Sequence, residues 1–175
     1  MDNTEKVGFG GGCHWCTEAI FQSLKGVVCV DQGYIASNGA FSSFSEAVIV
    51  TFNPDCVKLS LLIEIHLGTH KSTKNHSMRE KYRSAIYTFS DAQHYKAQSI
   101  LNYLSTLAKT HYITQILNFR AFKPSRESLL DYYYTNPKKP FCETFINPKL
   151  QWLIKAHSEI LNYEKLSHFE TNQST

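Results

Sequence analysis

The first third of the chain combines apolar runs with a glycine-rich turn. Residues 7–9 form a short apolar run that predicts a strand, and three consecutive glycines follow at 10–12. Apolar side chains then recur at helical spacing over residues 15–24, and Gly26 is a typical helix stop. The pattern predicts a strand, a sharp turn and an amphipathic helix, with Cys13 at the strand-to-helix turn.

The rest of the chain mixes strands and helices without strict alternation. The pattern predicts strands at 27–30, 47–52, 85–89 and 113–119, and helices at 59–67, 90–107, 125–134 and 148–163. Residues 33–45 and 68–81 are polar and lack clean periodicity, which predicts surface loops. No repeat or linker divides the chain, so we expect one α+β domain, with a core over about residues 5–163 and a polar, frayed tail at 167–175.

Composition narrows the function classes. The chain has 175 residues and is 42% apolar, which is enough for a sizeable core and excludes a disordered tail. Its net charge of +3 comes from scattered lysines and arginines, which argues against nucleic-acid binding. No apolar run reaches the roughly 18 residues of a membrane span, and the N-terminus resembles no secretory signal. We therefore expect a soluble, cytoplasmic monomer.

Cysteine is the residue type that calls for a chemical explanation. The chain has five cysteines, an odd number, in a domain too large to need disulfide staples. A helix N-terminus favours an anion, so Cys13 at the predicted turn should have a lowered pKa and act as a nucleophile. The alternative is that Cys13 is merely a small residue in a tight turn, with Cys16 facing the core.

Several blocks of sequence resemble one known family. The segment GGGCHWCTE at 10–18 resembles the Gly-Cys-aromatic-Trp turn of the A-type peptide methionine sulfoxide reductases. The resemblance continues, in order, over most of residues 7–149, at Gly33-Tyr34, Ser45-Glu46-Ala47-Val48, the YRSAIY block at 82–87, and Asn136-Pro137 with Cys142. It implies a two-layer α/β sandwich with a ferredoxin-like core, in which a mixed sheet carries its helices on one face.

The same resemblance implies an activity. The expected reaction is reduction of methionine S-sulfoxide, free or in proteins, with thioredoxin or a similar dithiol as reductant and no metal or organic cofactor. Cys13 would attack the sulfoxide and become a sulfenic acid. Glu46 would be the buried acid that donates the proton, although it could instead be a solvated residue at a strand start.

The remaining site residues follow from the same blocks. Tyr34 and Tyr82 would hold the sulfoxide oxygen and Trp15 would form the wall against the methyl group, although each could be an ordinary core aromatic. Cys142 matches the family's resolving cysteine, in a segment that proline should keep irregular. Cys16 is the alternative resolver, because C-x-x-C spacing is itself a redox arrangement, but a regular helix should place it a turn away from the Cys13 sulfur. Cys29 and Cys56 are expected to be structural or incidental.

The chain also departs from the family pattern, as a divergent branch would. His14 stands where the family has Phe, which adds a titratable ring to the methyl slot. His76 and Ser77 replace an Asn-Asp pair, so His76 either takes over the lost contact or is a solvated loop residue. Leu129 and Leu130 replace a His-Gln pair.

Two other function classes remain open at this point. The missing Asp allows a binding module that recognises oxidised methionine without turning it over. A metal site could instead combine Cys13, His14 and Cys16 with His66 or His70.

Overall fold

The computed structural model describes residues 3–170, without the side chain of residue 170. Within this range the strands are β1 (Glu5–Gly10), β2 (Val27–Ala36), β3 (Ser45–Phe52), β4 (Ala85–Thr88), β5 (Gln115–Asn118) and β6 (Ala121–Pro124). The α-helices are α1 (His14–Gln22), α2 (Leu59–Thr69), α3 (Asp91–Ala108), α4 (Tyr132–Thr135), α5 (Asn147–Ala156) and α6 (Ser167–Glu170). No helix in the described range is both long and apolar enough to cross a membrane.

The strands form one mixed sheet in the order β5-β4-β1-β3-β2-β6. Its four central strands are antiparallel, and α1 connects β1 to β2 while α2 connects β3 to β4. This order and these connections confirm the ferredoxin-like core. β5 joins β4 in parallel after α3, and β6 pairs antiparallel with β2 at the other edge.

The main core lies between the sheet and the helices. Side chains from one face of the sheet, such as Phe9, Val48 and Val50, pack with residues of α1, α2, α3 and α5. The opposite face carries a small buried cluster around Tyr87, against which the partly buried Leu117, Phe119 and Phe122 pack. The helices therefore lie on one face of the sheet, as expected.

The glycine turn brings distant parts of the chain together. A Cβ on Gly10 would lie 2.9 Å from the carbonyl oxygen of Arg83 and 3.1 Å from that of Glu46. Gly11 has a φ of +153°, and a Cβ there would lie 2.6 Å from Nε2 of His70. Only glycine allows such close approach. The turn consequently places the start of α1 beside β3 and the end of α2.

Several boundaries differ from the sequence expectations. β2 extends to Ala36 through Asp31 and Gln32, because pairing with β3 and β6 outweighs the low strand propensity of these residues. Strand β6 was not predicted, and the single helix expected at 125–134 is a 3₁₀ turn followed by the short α4.

The carboxyl-terminal region is also more ordered than expected. The segment around Cys142 is helical, with a π-helical stretch at Cys142–Ile146, so the expected irregular segment is wrong. Pro140 stands at the start of this helical segment, where its missing N–H costs nothing. Leu166 is buried and α6 begins at Ser167, so packing extends beyond residue 163. Residues 171–175 of the predicted tail at 167–175 lie outside the described residues.

Candidate active site

Cys13 is the N-cap residue of α1, directly after the glycine turn. Its carbonyl oxygen accepts hydrogen bonds from the backbone N–H groups of Cys16 at 3.1 Å and Thr17 at 3.2 Å, which starts the helix. The side chain is half-buried and faces a cavity of about 160 Å³. The cavity is lined by Gly11, Gly12, Cys13, His70, Lys71, His76, Tyr82 and Lys149.

Hydrogen-bond donors around the Cys13 sulfur favour its thiolate form. The pKa of Cys13 is lowered chiefly by a hydrogen bond from the Cys16 thiol, and further by the backbone N–H groups of Trp15 and Cys16. Burial and the nearby Glu46 act in the opposite direction and do not outweigh these donors. The bond to Cys13, together with burial, raises the pKa of Cys16, so Cys13 is the more acidic thiol of the two.

The pKa coupling of the two thiols bears on the choice of resolving cysteine. Cys16 is buried, as expected, and its thiol is close enough to that of Cys13 to change the pKa of both. The side chain of an N-cap residue folds back over the third helical residue, and Cys16 occupies that position. The two thiols of this C-x-x-C pair are therefore already close in the reduced state.

Glu46 lies at the start of β3 and is only 7% exposed, so the alternative of a solvated residue is wrong. Its Oε2 accepts a hydrogen bond from the backbone N–H of His14 at 3.2 Å. Its Oε1 lies 3.6 Å from Nζ of the exposed Lys81. Glu46 also faces Tyr34, its partner residue on β2. The carboxyl group is thus held under the first turn of α1, close enough for its charge to affect Cys13.

His14 is buried rather than open to a substrate, with 4% of its surface exposed. Its Nδ1 donates to the carbonyl oxygen of Gly33 at 3.0 Å, which fixes the ring, and Nε2 lies 3.9 Å from Oε2 of Glu46. The ring also packs edge-on against Tyr34, with 5.3 Å between centroids. His14 therefore links β2 to Glu46.

An aromatic wall stands beside the helix start. The Trp15 ring stacks on Tyr132 with centroids 4.0 Å apart and an angle of 6°, and the edge of Phe141 packs against it at 5.4 Å. Nζ of Lys139 lies 3.9 Å from the centroid of the Tyr132 ring. The half-buried Trp15 is thus part of a rigid stack rather than a lone side chain on the helix.

The loop at 70–82 forms the other side of the cavity. Tyr82 is half-buried and His76 is exposed, and both line the cavity that holds Cys13. Nδ1 of His76 accepts a hydrogen bond from the N–H of Met78 at 3.2 Å, which is a local loop contact. The Arg79 guanidinium donates to the carbonyl oxygens of Gly11 and Tyr82, both at 2.9 Å, so it ties this loop to the glycine turn.

Cys142 is part of the main core. It has no exposed surface, and its charge would act on both Cys16 and Tyr132.

Cys29 is exposed rather than inside a strand core, and its thiol donates to Asp31 at 3.5 Å. Cys56 is exposed as well. All five cysteines belong to the described range and are free thiols.

The metal hypothesis gains no support from the side-chain geometry. Between residues 3 and 170, no three His, Cys, Asp or Glu side chains are grouped so that they could hold a metal ion. His66 and His70 stack on each other with centroids 4.2 Å apart, and His70 bonds to Ser84 through Nε2 at 2.7 Å.

Sequence reasoning missed four residues of this site. Tyr132 and Phe141 belong to the aromatic wall, Arg79 holds the loop, and Lys149 lines the cavity from α5. A run of three tyrosines at 132–134 before Asn136-Pro137 was a usable signal for Tyr132. No local pattern distinguishes Arg79 or Lys149 from other surface cations.

Comparisons with known proteins agree on one family. The family model described as peptide methionine sulfoxide reductase matches residues 5–161. A curated relative, peptide methionine sulfoxide reductase MsrA of Ruthia magnifica subsp. Calyptogena magnifica, is 31% identical over 156 residues, which are 81% of this chain and 93% of the relative.

Solved structures share the fold. Mxr1 from Saccharomyces cerevisiae in reduced form aligns with a TM-score of 0.68 at 20% identity, over 82% of this chain and 91% of that one. Mxr1 in complex with Trx2 aligns with a TM-score of 0.57 at 20% identity, over 71% and 83% of the two chains.

Proposed function

We propose a catalytic role for each site residue from the premise that this chain belongs to the peptide methionine sulfoxide reductase family. It is an oxidoreductase that reduces methionine (S)-sulfoxide to methionine, and the reaction runs on thiols without a prosthetic group. The observation that carries the residue assignment is the Cys13 sulfur, which takes hydrogen bonds from the Cys16 thiol and from helix N–H groups at the edge of a cavity.

The first step transfers oxygen from the substrate to Cys13. The thiolate attacks the sulfoxide sulfur while Glu46, in its acid form, donates a proton to the sulfoxide oxygen. The oxygen ends on Cys13 as a sulfenic acid, and the substrate sulfur keeps an electron pair and leaves as the thioether of methionine. Tyr34 and Tyr82 hold the oxygen, and Trp15 with Tyr132 forms the apolar wall for the methyl group. The hydrogen bond from the His14 N–H holds Glu46 beside the start of α1, which supports its place in this arrangement.

The second step forms a disulfide. A second thiol attacks the Cys13 sulfenic acid, the S–O bond breaks, and the oxygen leaves as water. Cys16 is the better first partner, because its thiol is already close enough to Cys13 to lower the Cys13 pKa, whereas Cys142 is fully buried in the carboxyl-terminal helical segment. Cys142 can then exchange with the Cys13–Cys16 disulfide once the segment around Cys142 opens.

A thioredoxin is the proposed reductant of the final disulfide. Trx2 is bound to Mxr1, which has the same fold, and this complex supports a dithiol protein as the partner.

The five free thiols favour a reducing compartment, and on that ground we place the protein in the cytoplasm. A binding module without turnover is not favoured, since the thiolate, the acid and the aromatic wall are all present.

Single-turnover variants test the order of the two resolving thiols. With one equivalent of methionine (S)-sulfoxide and no reductant, C142S should form a Cys13–Cys16 disulfide. C16S should still release one equivalent of methionine, but most of its Cys13 should remain a sulfenic acid that dimedone traps. Peptide mapping by mass spectrometry measures both products, and C56S, with an exposed thiol replaced, is the matched control. A rapid Cys13–Cys142 disulfide in C16S would show instead that Cys142 resolves directly.

A further inference from the structure

The cavity beside Cys13 carries two lysines that the reaction does not use. Lys149, on the first turn of α5, is half-buried and lines the cavity. Lys71, which follows α2, also lines the cavity, and its side chain is exposed. Neither ammonium group has a hydrogen bond or an ion pair with any residue between 3 and 170. A half-buried ammonium without a partner is costly unless an anion binds to it.

The charge of Lys149 acts on the interior of the site. It opposes the rise in the pKa of Cys16 on α1, and it adds to burial in lowering the pKa of His66 and His70 on and after α2. Lys149 also lines the cavity in the space between these helices. That space contains the Cys13 sulfur, so an anion bound by Lys149 would lie close to a sulfoxide held at Cys13.

Other groups around the cavity do not cancel these charges. Burial, as the main cause, lowers the pKa of His70 to about 4, and the pKa of His76 is lowered as well, so both rings are neutral at pH 7. The Glu46 carboxyl group is already bound to the N–H of His14 and faces Lys81. The Arg79 guanidinium, bound to the carbonyl oxygen of Gly11, adds positive charge close to the cavity. Even with Cys13 ionised, the net charge of the groups around the cavity is positive.

We propose that Lys149, assisted by Lys71, is a specificity-determining residue that binds a carboxylate next to the sulfoxide. The carboxylate is either the acidic side chain of a residue beside the oxidised methionine or the main-chain carboxylate of free or carboxyl-terminal methionine sulfoxide. This inference rests on the proposed function and names the substrate class of that site. A charge-assisted bond at a partly desolvated position should change kcat/KM by about tenfold.

The test compares substrates that differ only in charge. Blocked peptides carry Glu, Gln or Lys next to methionine (S)-sulfoxide, and free methionine (S)-sulfoxide is compared with its methyl ester. For the wild-type protein, we expect at least one of two preferences in kcat/KM. The value should be about tenfold higher for the Glu peptide than for the Lys peptide, or about tenfold higher for free methionine (S)-sulfoxide than for its methyl ester. A preference in the peptide pair alone identifies a side-chain carboxylate, and a preference in the ester pair alone identifies the main-chain carboxylate. The preference should weaken as salt is added.

Variants assign the preference to the cavity. K149Q should remove most of it and K149E should reverse it, whereas K155Q, on an exposed position of the same helix, should leave it unchanged. Equal rates for all charges in the wild type, or a full preference in the K149Q/K71Q double variant, would overturn the inference.

A separate readout keeps the two proposals apart. Binding of the same peptides to C13S, followed by Trp fluorescence, reports carboxylate preference without turnover. A wild-type protein that reduces none of the substrates contradicts the proposed function. Tighter binding of the Glu peptide by C13S, lost in C13S/K149Q, supports the carboxylate site in either case, and equal binding of all peptides overturns it.

Discussion

Replacing Cys13 with serine should abolish reduction of methionine (S)-sulfoxide, with kcat/KM lower by about 10³-fold or more. Serine has a hydroxyl group that stays protonated at neutral pH, so the hydrogen bonds that stabilise a thiolate at the start of α1 have no anion to act on. It also cannot carry the substrate oxygen as a sulfenic acid. The measurement is methionine release with excess dithiothreitol, quantified by chromatography.

The control for this variant is the equivalent change at an exposed thiol. C56S should keep the wild-type rate, because Cys56 lies outside the cavity. C13S should also keep its circular dichroism spectrum and melting temperature, since serine is a favourable residue at a helix N-cap. Substantial turnover by folded C13S would show that another group is the nucleophile.

Replacing Glu46 with glutamine should lower kcat by about 10²- to 10⁴-fold, the usual contribution of a positioned general acid. The amide retains the shape of the side chain and can still accept the hydrogen bond from the His14 N–H, so the site geometry should survive. The amide cannot donate an acidic proton to the sulfoxide oxygen. KM should therefore change little while kcat falls, and steady-state kinetics on an S-sulfoxide peptide measures the two separately.

A matched variant separates this effect from a general change in charge. E64Q removes a carboxylate from a side chain that is 51% exposed on α2, and it should leave kcat within about twofold. If E46Q retained the wild-type kcat, the proton donor would be another group, and Glu46 would only position His14. The tyrosines at 34 and 82 would then be the next groups to test.

The parts of the fold that sequence predicts are those with strong local signals. The apolar run at 7–9, the three glycines and the periodic helix after them correctly placed Cys13 at a strand-to-helix turn. The ferredoxin-like order of the sheet followed from the resemblance and is confirmed. Strand β6 was missed, because four residues ending in proline form a strand only through pairing with β2.

The site was only partly predictable for a similar reason. Helical spacing suggested that Cys16 points away from Cys13, but its thiol is close enough to lower the pKa of Cys13. Tyr132 and Lys149 come from segments more than a hundred residues along the chain, and only tertiary packing brings them to Trp15 and the cavity. Their roles depend on which distant segments of the chain pack together, and no local sequence pattern indicates that packing.

The central claim is that Cys13 itself takes the oxygen from the substrate and passes the oxidation to a second thiol. The most direct test is to mix fully reduced wild-type protein with one equivalent of methionine (S)-sulfoxide, without reductant, and to count methionine and free thiols together. We predict one methionine released and two of the five thiols lost, with Cys13 in the resulting disulfide. Release of one equivalent of methionine while the peptide containing Cys13 remains a reduced thiol would contradict the account.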